Sequence, residues 1–434
     1  MSKQKIVLIG AGSLQFGLGT VGDIIQSDVL KGSTICLHDI NKETLNLVYE
    51  ACKAAIEEKN LDFSLESTTN RPEALKNANY VINSLEVAPR FELWDQDYET
   101  PRKFGNKQIF GENGGPGGLF HSLRVIPPIL EVCEDILKIC PNALFINYSN
   151  PMSRICLAIK RKFTTLKFIG LCHEFHLSKG IYTRLLNTPL SNLDIIAAGL
   201  NHFGVVLQMK YLDTGKDAYP KFREKLKKHL PMLIEKKIGD YSLISYIFNK
   251  YGYFPYTTDS HYGEYIHWAW EKANIEGVND FKNAYKRYII NTSKRIKRMI
   301  MKGKSSHLVK PDGERAIPII EGILTDANYM EPSVNLPNDD VIINLPRDLV
   351  IECPAIVNKK GLTAIKLGEY PKGLAALLRN QASVQDLVVE AILTKSKDIA
   401  LQALLADPVV ESATQAEEML EEMLRFQKKY IILE

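Results

Sequence analysis

The segment Phe168-Ile169-Gly170-Leu171-Cys172-His173-Glu174-Phe175-His176 sets a thiol, an imidazole and a carboxylate in consecutive positions just past a short apolar run. Thiolate and imidazole are metal ligands, and a carboxylate serves as acid, base or substrate anchor. Further along, Ala198-Gly199-Leu200-Asn201-His202-Phe203 follows another apolar run and offers an imidazole that can close a site with Cys172. Taken singly, a cysteine is most simply a buried hydrophobe and a histidine a satisfied core imidazole, so the pair matters only in company.

The second chemical signature lies at the start of the chain. Lys5-Ile6-Val7-Leu8-Ile9-Gly10 is an unbroken apolar run ending in glycine, as expected of a parallel strand buried on both faces, and Gly10-Ala11-Gly12-Ser13 turns the chain toward a helical stretch through Ile25. A pyrophosphate approaches a backbone only where no Cβ intervenes, and the helix start offers free N–H groups, so Gly10, Gly12 and Ser13 are candidate dinucleotide contacts. Thr34 to Asp39 reads as the next strand, ending in an acid placed for the adenosine ribose hydroxyls, which favours NAD over its phosphorylated relative. The motif departs from G-x-G-x-x-G at its third glycine, where Gln15 stands.

The elements that must position these groups alternate. Helical spacing covers 43 to 58 and 71 to 77, strands 80 to 85, 143 to 147 and 168 to 171, and a helix 122 to 139. Residues 86 to 110 have no clear period. Gly111-Glu112-Asn113-Gly114-Gly115-Pro116-Gly117-Gly118 reads as a loop lining a ligand, with Glu112 at its edge. Tyr148-Ser149-Asn150-Pro151 follows a strand, where doubly wound sheets hold ligands, so Asn150 is a candidate contact. Past residue 200 the texture changes: an antiparallel strand at 205 to 211, basic helices at 220 to 237 and 287 to 304, an aromatic stretch at 251 to 270 suited either to a sugar pocket or to the core, one or two strands at 340 to 351, and a helix-rich end. The expected fold is α/β, an N-terminal Rossmann-type doubly wound parallel sheet (residues 1–200) with a tightly packed α+β C-terminal domain (201–434).

Composition excludes several classes. With 434 residues, 45% of them hydrophobic, the chain can bury a large core, and a net charge of +3 from interspersed charges argues against nucleic acid as partner. No apolar run is long enough to span a membrane, and the first residues lead straight into a strand, so a cytoplasmic protein is expected. Seven scattered cysteines without a CxxC pair argue against a disulfide framework or a structural zinc site.

In combination, Gly10-x-Gly12-Ser13, Gly115-Pro116-Gly117-Gly118, Asn147-Tyr148-Ser149-Asn150-Pro151, Cys172-His173-Glu174, Gly199-Leu200-Asn201-His202 and Asn344-Leu345-Pro346-Arg347 resemble glycoside hydrolase family 4, over about residues 4 to 410. The resemblance implies a homodimeric or homotetrameric glycosidase needing NAD and a divalent metal, Mn2+ by expectation, and lying outside the two-carboxylate mechanism. Oxidation of the sugar C3 hydroxyl by hydride transfer to NAD acidifies the C2 proton. Its removal lets the C1 substituent leave, water adds, and the hydride returns. The resemblance implies Cys172 and His202 as metal ligands and Asn150 and Glu112 as substrate contacts. It further implies His173 as general acid and Asp259 as the C2 base, with His261 and Tyr262 as alternatives. Cys172-His173-Glu174 is similar to the α-galacturonidases, implying a small-molecule uronide substrate with Glu174 orienting His173 or a basic residue. Arg154 and Arg287 are candidates for the substrate carboxylate. An α-glucuronidase or α-galactosidase of the same family is the near alternative, a lactate- or malate-type dehydrogenase or a non-catalytic NAD sensor the distant ones.

Overall fold

The computed structural model describes residues 3–303 and 305–434; Met1, Ser2 and Lys304, the expected end of the second basic helix, lie outside them. The strands are β1 (Lys5–Ile9), β2 (Thr34–His38), β3 (Ser64–Thr68), β4 (Tyr80–Asn83), β5 (Leu144–Asn147), β6 (Phe168–Gly170), β7 (Leu193–Leu200), β8 (Phe203–Tyr211), β9 (Phe254–Pro255), β10 (Tyr329–Pro337), β11 (Val350–Asn358) and β12 (Gly361–Ala364). They form one sheet in the order 3-2-1-4-5-6-10-11-7-8-9, with β12 on β11. The first six run parallel in Rossmann order, and the order reverses between β1 and β4. From β10 on the pairing is antiparallel.

The parallel strands are legible because both of their faces are covered. In β1, Ile6 and Leu8 pack with the helices Phe16–Ile25 and Lys42–Glu58, whereas Val7 and Ile9 pack with Gly115–Ile139 and Met152–Lys162 on the other side. Each such fully buried aliphatic side chain contributes roughly 1.5–3 kcal/mol. Among the described residues no helix is long and apolar enough to cross a membrane.

Three expectations change. First, Gly115-Pro116-Gly117-Gly118 opens the helix Gly115–Ile139 and is not loop. Its glycines serve close packing, since a Cβ on Gly117 would lie 2.6 Å from Gly111 Cα and one on Gly118 2.4 Å from Asn113 C. Second, the segment without a clear period contains the helix Arg90–Lys103. Third, residues 340 to 349 are not strand: buried Asn338 gathers the segment onto itself, its amide donating to the carbonyls of Ile342 and Pro346 and its oxygen accepting from Ile342 N. The strands flank this turn as β10 and β11, and β10 has no counterpart among the expected strands. Of the two readings open for the aromatic stretch, the core prevails, with Phe254, Tyr256, Tyr262 and Tyr265 buried in one cluster.

Candidate active site

Two cavities open at the C-terminal ends of the parallel strands. One, of about 220 Å³, is lined by Gly10, Ser13, Asp39, Ile40, Arg71 and Glu86, among others. Gly10 has φ +81°, and a Cβ there would press on the Ser84 backbone at 3.0 Å. A Cβ on Gly12 would lie 2.7 Å from Asp39 Oδ2, the oxygen that accepts the Gly12 N–H. The second carboxylate oxygen of Asp39 accepts from Asn41 N, so the acid is fixed at the strand end. Gln15 does not disturb this turn. Its amide reaches out to Ile289 O and Ser293 Oγ on the helix Ile275–Met301, and the close approach falls to Gly17, where a Cβ would meet Ala11 O at 2.3 Å. The bare cradle and its terminal acid fit a dinucleotide.

The other cavity, of about 280 Å³, brings together Glu112, Asn150, Cys172, His173, Glu174, His202 and His261, with Arg90, Trp94, Phe110, Phe281 and Tyr285 in its walls. Cys172 follows β6 and His202 sits in the two-residue turn between β7 and β8, with Leu200 paired to Phe203. His202 has φ +61°, a left-handed conformation that costs a non-glycine residue about 1–3 kcal/mol, so the surroundings must hold it there. Its Nε2 lies 3.2 Å from Cys172 Sγ. With metal–sulfur and metal–nitrogen bonds of about 2.3 and 2.1 Å, two neighbouring ligands of one ion stand roughly 3.0–3.6 Å apart, so this pair fits a shared cation.

The electrostatics of His202 suit a ligand. Burial, with the nearby imidazoles of His261 and His173, pushes the His202 pKa well down, keeping the ring neutral and its lone pair available. Burial and the carboxylates of Glu352 and Glu174 push the Cys172 thiol up, so in the absence of a cation it keeps its proton. Donor atoms of Glu174, His202 and His261 all lie within 4.8 Å of one another, which widens the set from which an ion can draw. The other six cysteines are buried, as expected, and only Cys172 is partly exposed.

Not every expected residue reaches the cavity. Asp259, the expected base, is fully buried, and its two oxygens accept from the backbone N–H of Ile244 and Asn274, tying down the starts of the helices Ser242–Tyr251 and Ile275–Met301. Burial pushes its pKa up to about 6, yet it faces protein and does not line the cavity. Tyr262 packs edge-on against Phe203 in the core. His261, the other alternative, does line the cavity: its ring stacks on His202 at 4.5 Å, and Nδ1 has no partner among the described residues. Burial depresses its pKa, but the carboxylates of Glu174, Glu112 and Glu264 outweigh this and hold it above the ordinary value. Glu174 does not face His173: its oxygens meet His261 Nε2 at 3.5 Å and the Thr257 hydroxyl at 2.8 Å. His173 is half exposed and stands 3.7 Å from Glu314. Neither expected cation is present, because Arg154 is buried behind the wall and Arg287 points to solvent.

Two residues of the site carry no sequence signal of their own. Arg90 is the cation of the cavity, but it donates to Glu112 Oε1 at 3.2 Å and to the Tyr285 hydroxyl at 3.3 Å and stands 3.7 Å from Glu86. Glu86 lines the dinucleotide-type cavity, and although burial opposes ionisation, His121, Arg90 and Arg124 hold its pKa down at about 2, so this ion pair joins the two cavities. Glu264 is the other: its Oε2 accepts the backbone N–H groups of Glu112, Asn113 and Gly114 at 2.8, 2.7 and 3.0 Å and so fixes the segment presenting Glu112.

Comparison with known proteins points the same way. Residues 5–188 match the model of "Family 4 glycosyl hydrolase" and residues 197–410 that of "Family 4 glycosyl hydrolase C-terminal domain". The chain is 41% identical to an alpha-glucosidase of Erwinia rhapontici, over 98% of both chains. It is 28% identical to an alpha-galacturonidase of Thermoanaerobacter italicus, over 98% of this chain and 97% of that one. Among solved structures, a 6-phospho-alpha-glucosidase from gut microorganisms, in complex with NAD and Mn2+, shares the fold at a TM-score of 0.83 and 21% identity, with all of both chains covered.

Proposed function

Because the chain belongs to family 4 of the glycosyl hydrolases, we propose that it hydrolyses α-glucosides with the help of NAD and a divalent cation, Mn2+ in the first instance. The observation that carries the reading is the convergence of Cys172 Sγ and His202 Nε2 at 3.2 Å in a cavity that adjoins a bare-backbone dinucleotide cradle. When bound, NAD takes up and returns a hydride and the cation polarises neighbouring sugar oxygens.

The chain's own groups divide the remaining work. Gly10, Gly12 and Ser13 bring the backbone to the pyrophosphate, and Asp39 takes the adenosine ribose. Cys172 and His202 hold the cation. Glu112 and Asn150 orient the sugar, Glu112 being kept in place by Arg90 and Asn150 offering a buried side-chain oxygen without a protein partner among the described residues. His173, open to solvent on the cavity rim, donates the proton to the departing oxygen, and Nδ1 of His261, in the neutral form of the ring with Nε2–H turned to Glu174, takes up the C2 proton in place of Asp259. Phe110 and Trp94, both buried, keep water from the wall they form.

A neutral sugar is favoured over a uronide. The cavity carries the carboxylates of Glu112 and Glu174, and its Arg90 is already committed to Glu86 and Glu112, so among the described residues a substrate carboxylate would meet no uncommitted lysine or arginine. The 41% identity to an alpha-glucosidase supports the same choice. The α-galacturonide expectation rests on Cys172-His173-Glu174 and on relatives at lower identity, and it forms the competing arm of the test. Release of nitrophenol from the α-glucoside, α-galactoside, α-galacturonide and α-glucuronide is measured with and without NAD and Mn2+ under reducing conditions. Turnover of the α-glucoside that needs both additions is expected. Preference for the galacturonide would reverse the sugar assignment, and turnover without either addition would reject the mechanism.

A further inference from the structure

Cys172 and His202 stand at the ends of strands that are not neighbours, because β10 and β11 lie between β6 and β7. Their spacing is therefore not set by direct pairing of the strands that carry them. At this crossing a carboxylate is buried in an otherwise apolar strand: Glu352 of β11, 1% exposed and in register with Gly199 of β7. Its Oε2 accepts the side-chain amides of Asn201 at 2.6 Å and Asn335 at 3.2 Å, and its Oε1 accepts the Tyr256 hydroxyl at 2.8 Å.

Each donor leads to a ligand-bearing segment. Asn201 immediately precedes His202 in the tight turn. Asn335 is in register with Gly170, two residues before Cys172, and its amide also reaches the Gly170 carbonyl at 3.4 Å. Tyr256 lies so close over Gly204, at the base of the same turn, that a Cβ there would be 2.2 Å from its hydroxyl oxygen. The turn is further held by Ser153 Oγ, which accepts Asn201 N–H, and by the Tyr265 hydroxyl, which donates to Asn201 O. Left-handed His202 needs such restraint.

We infer that Glu352 is a positioning residue for the metal centre, a buried acceptor that ties the His202 turn, through Asn201, to the Cys172 strand, through Asn335, and so sets the distance between the two ligands. The inference rests on the reading that Cys172 and His202 share a cation. Groups that orient ligands from behind are worth about 10–100-fold in metal affinity.

Cobalt(II) is the probe, titrated into the full chain under reducing conditions, with the near-ultraviolet thiolate-to-cobalt absorption and the Kd as readouts. In Glu352→Ala, Co2+ binds about 10–100-fold more weakly and the thiolate band weakens or moves, while NAD binding is retained. Glu352→Gln restores affinity to within a few-fold, because its carbonyl oxygen still accepts both asparagine amides while its NH2 turns to the Tyr256 oxygen. Should the alanine variant not fold, Asn201→Ala removes only the arm to the turn and is expected to shift the band in the same way. Both Glu352→Ala and Asn201→Ala binding Co2+ within about twofold of the parent with an unmoved band would overturn the inference. A folded glutamine variant as weak as the alanine variant would overturn it too. Failure of the underlying reading looks different: the parent protein would show no thiolate band, or the band would survive Cys172→Ser.

Discussion

Replacing Glu264 by alanine should damage the fold and the sugar site together. Its carboxylate, 1% exposed, accepts three successive backbone N–H groups between 2.7 and 3.0 Å, and its other oxygen lies 3.3 Å from the Asn113 amide. A buried donor left without a partner costs about 1–3 kcal/mol, and such penalties add incompletely. Set against them is relief from burying a charge, since burial holds the Glu264 pKa above its ordinary value. The net loss is about 2–4 kcal/mol, a fall of a few degrees in melting temperature for a chain of this length. Freed backbone at 112–114 also releases Glu112 from the cavity, so KM should rise about tenfold or more, with NAD affinity unchanged. Thermal melts and steady-state kinetics with the α-glucoside measure both. A Glu264→Ala protein that melts with the parent and keeps its KM would refute the reasoning.

Gly12→Ala places a methyl group 2.7 Å from Asp39 Oδ2 and 2.5 Å from Thr44 Oγ1; NAD binding followed by fluorescence should weaken about tenfold, and an unchanged Kd would remove the cradle from the account. Asp407 is buried and pushed up to about 6 from 3.8, so its contribution to stability is full below about pH 3.8 and is lost as pH rises through about 6. Asp407→Asn keeps the oxygen that accepts Val409 N, and its stability relative to the parent should grow by about 2–3 kcal/mol between pH 4 and pH 7.5. Denaturant titrations giving a constant gap across that range would contradict this.

What the sequence discloses follows from what is local. The strands β1, β2, β4 and β5 are apolar runs because both faces are covered, whereas β3 is a polar edge strand with no such run. Cys172 and His202 are legible because each follows an apolar strand at the ligand-bearing end of the sheet. Gly115-Pro116-Gly117-Gly118 reads as loop by composition, yet its glycines are demanded by backbone packing inside a helix start. Arg90, Glu264 and Glu352 act across 22, about 150 and 151 positions of sequence respectively, which no periodicity records. A carboxylate within the apolar run of β11 is the nearest thing to a signal. Asp259 shows the converse, an acid two positions before the cavity-lining His261 whose own oxygens are spent on backbone amides.

The most direct measurement follows cleavage of the α-glucoside by the NAD- and Mn2+-supplemented protein in deuterated water, with proton NMR of the released sugar. Removal and return of a ring proton through His261 predicts deuterium at C2 of the product, in every turnover and only when both additions are present. Protium retained at C2, with cleavage continuing in the absence of NAD, would contradict it.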